Sequence, residues 1–285
     1  MKFLTELKHT NLEHEICILR VDLNVESAED SWKFRAAIPT IHWLLQRGAK
    51  IVIVSHRGRP ASPSGGPKGL CDATLGLRSI GELLQKELFT PITFLPFRHC
   101  DNPEELIDWA SLKKTIIDGP NASVFLMENI RFAPGEEKND DELAKNLASL
   151  GTIYINDAFA VSHRANASIA AITKYLPSYA GPLFEKEYHT LSEIKRHPRR
   201  PLIFVLGGAK TPEKMGLIKY FVHKAEHFLV GGVVGNTFLK ASGIDVGSSM
   251  IDENLIAFAK EMLATKKIVL PEDWRSDNGR IFDIG

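Results

Sequence analysis

Cysteine is scarce in this sequence: Cys17, Cys71 and Cys100 are the only ones among 285 residues. An odd count with no C-x-x-C argues against a disulfide framework or a cysteine zinc site, and fits a reducing compartment. Long apolar runs are also missing, so no stretch reads as a bilayer span. The start, MKFLTELKHTNLEHE, is charged throughout and lacks the apolar centre of a signal peptide. Net charge is absent, with 35 basic residues against 35 acidic ones, which argues against a dedicated nucleic-acid or membrane-surface binder. Together these absences lead to the expectation of a soluble cytoplasmic protein, with neither nucleic acid nor membrane as partner.

Two phosphate-binding signatures are missing as well. No G-x-x-x-x-G-K-[ST] occurs, which excludes a P-loop enzyme, and no G-x-G-x-x-G follows an early strand, which argues against a dinucleotide-binding dehydrogenase. The ten histidines show no recognised metal-ligand spacing. His223 and His227, four apart on an expected helix face, read as packing or surface residues, and no protein-held metal is expected. There is no internal repeat and no low-complexity tract.

What is present is a globular composition, 44% hydrophobic and 25% charged, on a chain long enough for one large or two ordinary α/β domains. Strand candidates rich in β-branched and aliphatic residues fall at Ile16–Val21, Lys50–Ser55, Ile92–Leu95, Ser123–Glu128, Ile153–Asp157, Leu202–Leu206, Phe228–Gly231 and Lys267–Leu270. Several are almost continuously apolar, as strands covered on both faces should be. Helical spacing appears between them, at Arg35–Gln46, Thr74–Leu88, Glu142–Ser149 and Glu253–Thr265. This alternation predicts an α/β fold of parallel sheets with helices on both faces. Five strand candidates precede Leu176 and three follow Pro201. The charged stretch Phe184–Arg196 lies between them and ends in HPRRP, where prolines stop a helix. The predicted division is therefore a domain over 1–180, an interdomain helix within 181–200, and a second, incomplete domain over 201–285. Pro60–Gly69, PASPSGGPKG, reads as a flexible surface loop.

Polar residues follow four of the strand candidates in a pattern that suggests one site. Arg20-Val-Asp22-Leu-Asn24 comes after the first, and Ser55-His56-Arg57-Gly58-Arg59 after the second. Asn129-Ile130-Arg131 and Ser162-His163-Arg164 come after two others. In open parallel sheets ligands sit beyond the carboxyl ends of the strands. An isolated arginine at such an end is ordinarily solvated surface. Four strands carrying arginine, histidine, aspartate and asparagine to one edge point instead to an anion site. The guanidinium fork can grip a phosphate or carboxylate through two hydrogen bonds. Asp22 and Asn24 suit a hydroxyl between two anionic ends, and Gly58 lets the backbone approach closely.

A second phosphate signal lies in LGGAKTPEKMG (206–216). A glycine pair, Gly207 and Gly208, follows a strand, and Thr211 and Pro212 read as N-cap and first residue of a helix. Unpaired N–H groups at such a terminus favour phosphate, and Lys210 and Lys214 add charge beside it.

The segments RVDLN (20–24), AAIPTI (36–41), GAKIVIVSHRGRP (48–60), ENIRFAPGEEKND (128–140), NDAFAVSHRANAS (156–168), YLPSYAG (175–181), EKE (185–187), LGGAKTPEK (206–214) and TFLKASG (237–243) resemble, in order, those of the phosphoglycerate kinase family. The resemblance covers nearly the whole chain. It implies two Rossmann-like domains facing across a cleft. The first would bind 3-phosphoglycerate or 1,3-bisphosphoglycerate, and the second ATP or ADP with Mg2+. The implied activity is reversible phosphoryl transfer between 1,3-bisphosphoglycerate and ADP, by a monomer when complete, with the 184–196 helix as a hinge element. Carried over by position, substrate contacts fall on Asp22, Asn24, Lys33, His56, Arg59, Arg131 and Arg164. Nucleotide contacts fall on Gly207, Gly208, Lys210 and Lys214, and the catalytic pair is Lys33 and Lys210.

Three departures qualify the resemblance. Ahead of AAIPTI the family carries an arginine central to transfer, and here Trp32-Lys33-Phe34-Arg35 puts Lys33 at that position. Lysine keeps the charge without the bidentate fork, and a local shift would let Arg35 substitute. The second glycine turn reads GGVVGN (231–236), which implies altered adenine packing. IFDIG (281–285) resembles the middle of the family's second domain, so the chain reads as truncated. The expectations are a thin second sheet with exposed apolar surface, and little activity alone. The alternative is a non-catalytic 3-phosphoglycerate-binding module.

Overall fold

The computed structural model of the protein describes residues 1–25, 32–60, 72–98, 105–275 and 280–283. Most of the loop expected over Pro60–Gly69, together with Cys71 and Cys100, lies outside them. The chain divides into two compact units, Met1–Leu191 and Ser192–Gly285.

The first unit is built on a parallel six-stranded sheet. Its strands are β1 (Ile16–Arg20), β2 (Lys50–Val54), β3 (Ile92–Leu95), β4 (Val124–Met127), β5 (Ile153–Asn156) and β6 (Ser178–Ala180), in the order β3-β4-β2-β1-β5-β6. The alternation of side chains along each strand divides the core into two layers. Cys17, Leu19, Ile51, Ile53 and Leu126 point to one face, where helices α2 (Ile38–Leu45) and α3 (Arg78–Leu88) cover them with Ile41, Leu44, Ile80 and Leu84. Ile18, Val52, Val54, Phe125 and Tyr154 point to the other, against Leu112 and Ile116 of α4 (Trp109–Asp118) and Ala144 and Leu147 of α5 (Asp141–Ala148). Each such aliphatic side chain contributes about 1.5–3 kcal/mol by leaving water. Asp108 and Asp140 cap α4 and α5 by accepting from the backbone N–H of Ser111 (2.9 Å) and Leu143 (2.8 Å).

Every predicted strand forms, within a residue or two of its expected ends. Three predicted helices break where local chemistry breaks them. Arg35–Gln46 splits into a single turn, α1 (Trp32–Arg35), and α2, because Pro39 in the first turn of α2 has no N–H to continue from α1. Thr74–Leu88 and Glu253–Thr265 each begin with a short 3-10 turn before the α-helix starts. Strand β6 was not expected: three residues next to Pro177 carry no periodicity.

Helix α6 (Pro182–Arg196) follows β6, contains the boundary between the two units, and has no buried residue. Its first N–H groups find a partner in Asp157 at the end of β5, whose Oδ1 accepts from Leu183 (2.8 Å) and Phe184 (3.0 Å). Lys195 and Arg196 in its last turn complement the helix dipole.

The second unit has a three-stranded parallel sheet, β7 (Ile203–Leu206), β8 (His227–Val230) and β9 (Ile268–Val269), in that order. Helices α7 (Thr211–Phe221), α8 (Gly232–Ser242) and α9 (Ile256–Leu263) pack around Phe204, Phe228 and Val230. The expected thin sheet with exposed apolar surface is seen here. Ile203, Val205, Leu229 and Val269 on the opposite face are 49%, 79%, 39% and 42% exposed, and Val205, Leu229 and Val269 form one cross-strand row. An antiparallel hairpin, β10 (Asp273–Arg275) and β11 (Ile281–Asp283), was also not expected. His227 opens β8 instead of sharing a helix face with His223.

The two faces of this small sheet differ in what truncation removes. In urea unfolding, Phe228→Ala should cost about 3–5 kcal/mol and Val205→Ala less than about 0.5 kcal/mol. Equal costs would mean that the outer face is covered in solution.

Candidate functional site

Strands β4, β2, β1 and β5 are consecutive neighbours and run parallel, so the segments leaving their carboxyl ends emerge side by side. Ser55 stitches the segments after β1 and β2 together: its Oγ donates to the Val21 carbonyl and accepts from the Leu23 N–H, both at 2.8 Å. Asn24 Oδ1 accepts from the N–H of Gly58 at 2.8 Å. Asn129, fully buried after β4, accepts through Oδ1 from the N–H groups of Arg57 (3.2 Å) and Arg131 (3.1 Å). Its Nδ2 donates to the carbonyls of Arg57 (2.8 Å) and Leu75 (2.9 Å). This amide holds the HRGR turn rigidly against the sheet. Gly58 takes φ +58°, a left-handed backbone that favours glycine, and a Cβ there would press 2.6 Å from the movable Leu75 Cδ2.

The predicted site residues take different places on this frame. Asp22 is half-buried and accepts the Asn24 N–H through Oδ1 at 3.0 Å. Lys33 reaches the same loop, donating from Nζ to the Asn24 carbonyl at 3.0 Å. Arg35 instead pairs with Glu87 at 2.8 Å on an exposed surface. Arg59 is exposed and forms no hydrogen bond or ion pair among the described residues. Arg57 is structural, donating to the carbonyls of Val25 (3.0 Å) and Gly76 (3.3 Å). Arg164 is half-buried, with Nε 3.4 Å from His163 Nε2.

Arg131 and His56 are the electrostatic centre. The Arg131 side chain is only 4% exposed. Its Nη1 donates to the Gly58 carbonyl at 2.6 Å, while its buried Nε has no hydrogen-bond partner and lies 3.5 Å from a carboxylate oxygen of exposed Glu137. Burial holds its pKa below the ordinary value; Glu137 opposes that shift, and the charges of Arg164 and Arg20 add to it. His56 is 2% exposed. Burial, then the charges of Arg20, Arg131 and Arg164, drive its pKa from 6.5 down to about 2, so the ring is neutral. Three guanidinium groups thus act on one imidazole. An incoming anion would relieve the repulsion among these guanidinium groups and occupy the unused Arg131 N–H. A hollow of about 790 Å3, lined by Lys8, Arg47 and Asn121, is at the opposite, amino edge of the sheet and has none of these groups.

In the second unit, Gly207 and Gly208 link β7 to α7, and Gly231 links β8 to α8. A Cβ on Gly232, which has φ +57°, would lie 2.9 Å from the N of Gly208, so the two glycine turns touch. Both helices present their N-termini at this edge. Lys210, not Thr211, is the N-cap of α7: Thr211 is already helical, is 2% exposed and places Pro212 in the first turn. Lys214 donates to the Lys210 carbonyl at 3.2 Å. A groove of about 720 Å3 runs beside the second turn, lined by Gly232, Asn236, Leu239, Val246 and Ser249. No cluster of three metal-ligating side chains occurs among the described residues.

Several residues that build the site had no assigned role in the sequence reading. Arg20 had a signal, because it ends an otherwise apolar strand. Glu136 and Ser168, which support it, are 32 positions apart, and nothing local announces their meeting.

The fold and this cationic strand edge define an α/β protein with an anion-attracting site. The family model for phosphoglycerate kinase matches residues 7–280. The phosphoglycerate kinase of Coprothermobacter proteolyticus is 39% identical over 282 residues, which are 95% of this chain and 67% of that protein. That of Thermosynechococcus vestitus is 40% identical over 284 residues, 95% of this chain and 66% of that one. The structure of phosphoglycerate kinase from Coxiella burnetii superposes with a TM-score of 0.72 at 30% identity, over 96% of this chain and 69% of that one. For the Pyrococcus horikoshii enzyme the TM-score is 0.78 at 25% identity, over 100% and 71%. The chain belongs to the phosphoglycerate kinase family, and phosphoryl transfer is the function that membership assigns. It spans about two thirds of the length of these curated relatives.

The depressed His56 pKa predicts an acid-sensitive fold. Below the unfolded value of 6.5 the unfolded chain takes up a proton that the folded ring refuses until pH approaches 2, so stability is full above pH 6.5 and falls as pH drops. Between pH 7 and 5 this group alone removes about 2 kcal/mol. In urea unfolding at the two pH values, His56→Gln should lose about 2 kcal/mol less over the interval than wild type. An unchanged difference would mean that the folded ring protonates normally.

Proposed function

We propose that the carboxyl edge of the first sheet holds 3-phosphoglycerate or 1,3-bisphosphoglycerate, and that the glycine turns of the second unit hold the phosphates of ADP or ATP. The observation that carries this reading is the almost fully buried Arg131 side chain, whose Nε–H makes no hydrogen bond among the described residues and has only the exposed Glu137 as counter-charge beside it. Arg59, Arg131 and Arg164 supply charge and directed N–H groups for the phosphate, and His56 supplies a neutral ring nitrogen beside them. Asp22 and Asn24 flank the hydroxyl-bearing carbon. Lys33, beside Asn24, neutralises the carboxyl end, where phosphoryl transfer occurs. Lys210, Lys214 and the N–H groups of Gly207, Gly208 and the α7 terminus suit the nucleotide phosphates.

The reaction needs no covalent enzyme intermediate. Donor and acceptor oxygens must be aligned, and the charge on the transferring phosphoryl group neutralised. A Mg2+ ion held chiefly by nucleotide phosphate oxygens fits a chain whose described residues form no carboxylate cluster. When bound it would neutralise the nucleotide's phosphate charge. Balanced charge, and the lack of any described helix long and apolar enough to cross a membrane, are compatible with a cytoplasmic setting.

Calorimetric titration of the chain with 3-phosphoglycerate, and separately with ADP and Mg2+, tests the two halves one at a time. Arg131→Ala should weaken 3-phosphoglycerate binding at least about tenfold, the loss of roughly one charged hydrogen bond. Unchanged affinity would remove Arg131 from the site. In coupled assays of phosphoryl transfer, Lys33→Arg should raise kcat by restoring a bidentate fork. An equal or lower rate would place Lys33 outside the transfer step.

A further inference from the structure

We infer that the buried chain Glu136, Ser168 and Arg20 is a positioning device: it locks His56 in the neutral form that carries its proton on Nε2, so that the ring meets the phosphorylated acid as a hydrogen-bond donor. The donor role rests on the reading just given; the lock itself does not.

The directions of the hydrogen bonds decide the tautomer. Arg20 Nη2 lies 3.1 Å from His56 Nδ1. A guanidinium only donates, so Nδ1 must accept and the ring proton must sit on Nε2. The other neutral tautomer, and the imidazolium, would set two N–H groups against each other at that distance. The Arg20 plane is fixed at two more points, by Nε donating to Ser168 Oγ (3.1 Å) and Nη1 donating to the Val21 carbonyl (2.5 Å). Because Ser168 Oγ accepts from Arg20, its own proton goes to Glu136 Oε1 at 2.6 Å. Glu136 is held in turn by the Ser168 N–H on Oε2 (2.9 Å) and by Asn166 Nδ2 on Oε1 (3.3 Å). All four members are at most 2% exposed, so water does not compete for these bonds.

The far side of the ring is left available. His56 Nε2 has no partner among the described residues, yet it is not sealed off; Arg131 Nε alone among the described side-chain atoms is both buried and unpaired. The charged groups acting on the ring are Arg20 from β1, Arg131 after β4 and Arg164 after β5. All three disfavour a second ring proton. Glu136 offsets the charge of Arg20 without touching His56. Direction therefore comes from His56, and charge from Arg131 and Arg164.

The test is long-range 1H–15N NMR of the histidine side chains in the full, 15N-labelled chain, with His56→Gln to assign the signals. In wild type between about pH 5 and 8, His56 should show a pyridine-like Nδ1 and a pyrrole-like Nε2 with no titration, and 3-phosphoglycerate should shift Nε2. Ser168→Ala frees the guanidinium and should give ring shifts averaged between the two neutral tautomers, still without titration because burial persists, with 3-phosphoglycerate affinity at least about tenfold lower. Ser168→Thr, which keeps the hydroxyl, should restore the wild-type pattern. A protonated Nδ1 in wild type, or an unchanged tautomer in a folded Ser168→Ala chain, overturns the lock. If Ser168→Ala does not fold, the wild-type spectrum decides alone. A correct tautomer that 3-phosphoglycerate leaves unshifted overturns the donor role and refutes the substrate reading for His56, with the lock intact.

Discussion

Like charges brought together without enough counter-charge are the constraint on which the rest of this structure depends. Arg20, Arg131 and Arg164 all act on one buried imidazole, and the exposed carboxylate of Glu137 only partly offsets Arg131. Glu136 also offsets Arg131, and the arrangement follows from the parallel pairing of the strands that carry these segments. β1, β2, β4 and β5 share one direction and adjoin in the sheet, so whatever follows them must meet at one edge. Two apolar layers, one on each face, fix that sheet and hold the loops in register.

Much of this was legible in the sequence, for identifiable reasons. Strands such as KIVIV and VFLM are apolar throughout because both faces are covered, and that signature is hard to confuse with a solvent-facing strand. Polar residues immediately after such runs could therefore be assigned to one edge before any coordinates. Helix boundaries were less legible, since Pro39 and the two 3-10 turns act over only a few residues. Bonds distant in sequence were illegible. Asn129 clamps a turn 72 positions away, and Arg20 reaches Ser168 across 148; neither leaves a periodic trace. Arg57 and Arg59 look equivalent in VSHRGRP, yet one is tied to backbone carbonyls and the other stands free of described partners.

The second unit follows the same logic with less support. Its glycine turns touch and offer two helix termini to an anion, but its sheet has one covered face and one bare one. Alternation in β7 and β8 makes that visible: of the outward residues, Ile203, Val205 and Leu229 are as apolar as the inward ones and only His227 is polar, which suits strands made to be covered twice. The chain spans about two thirds of its curated relatives' length, and its second unit has three parallel strands against six in the first.

The most direct measurement is a crystal structure of the chain soaked with 3-phosphoglycerate. The account predicts ligand density beyond the carboxyl ends of β1, β2, β4 and β5, with a phosphate or carboxylate oxygen within hydrogen-bond reach of Arg131 Nε. Density confined to the amino-edge hollow beside Lys8 and Arg47, with the Arg131 N–H still unpaired, would contradict it.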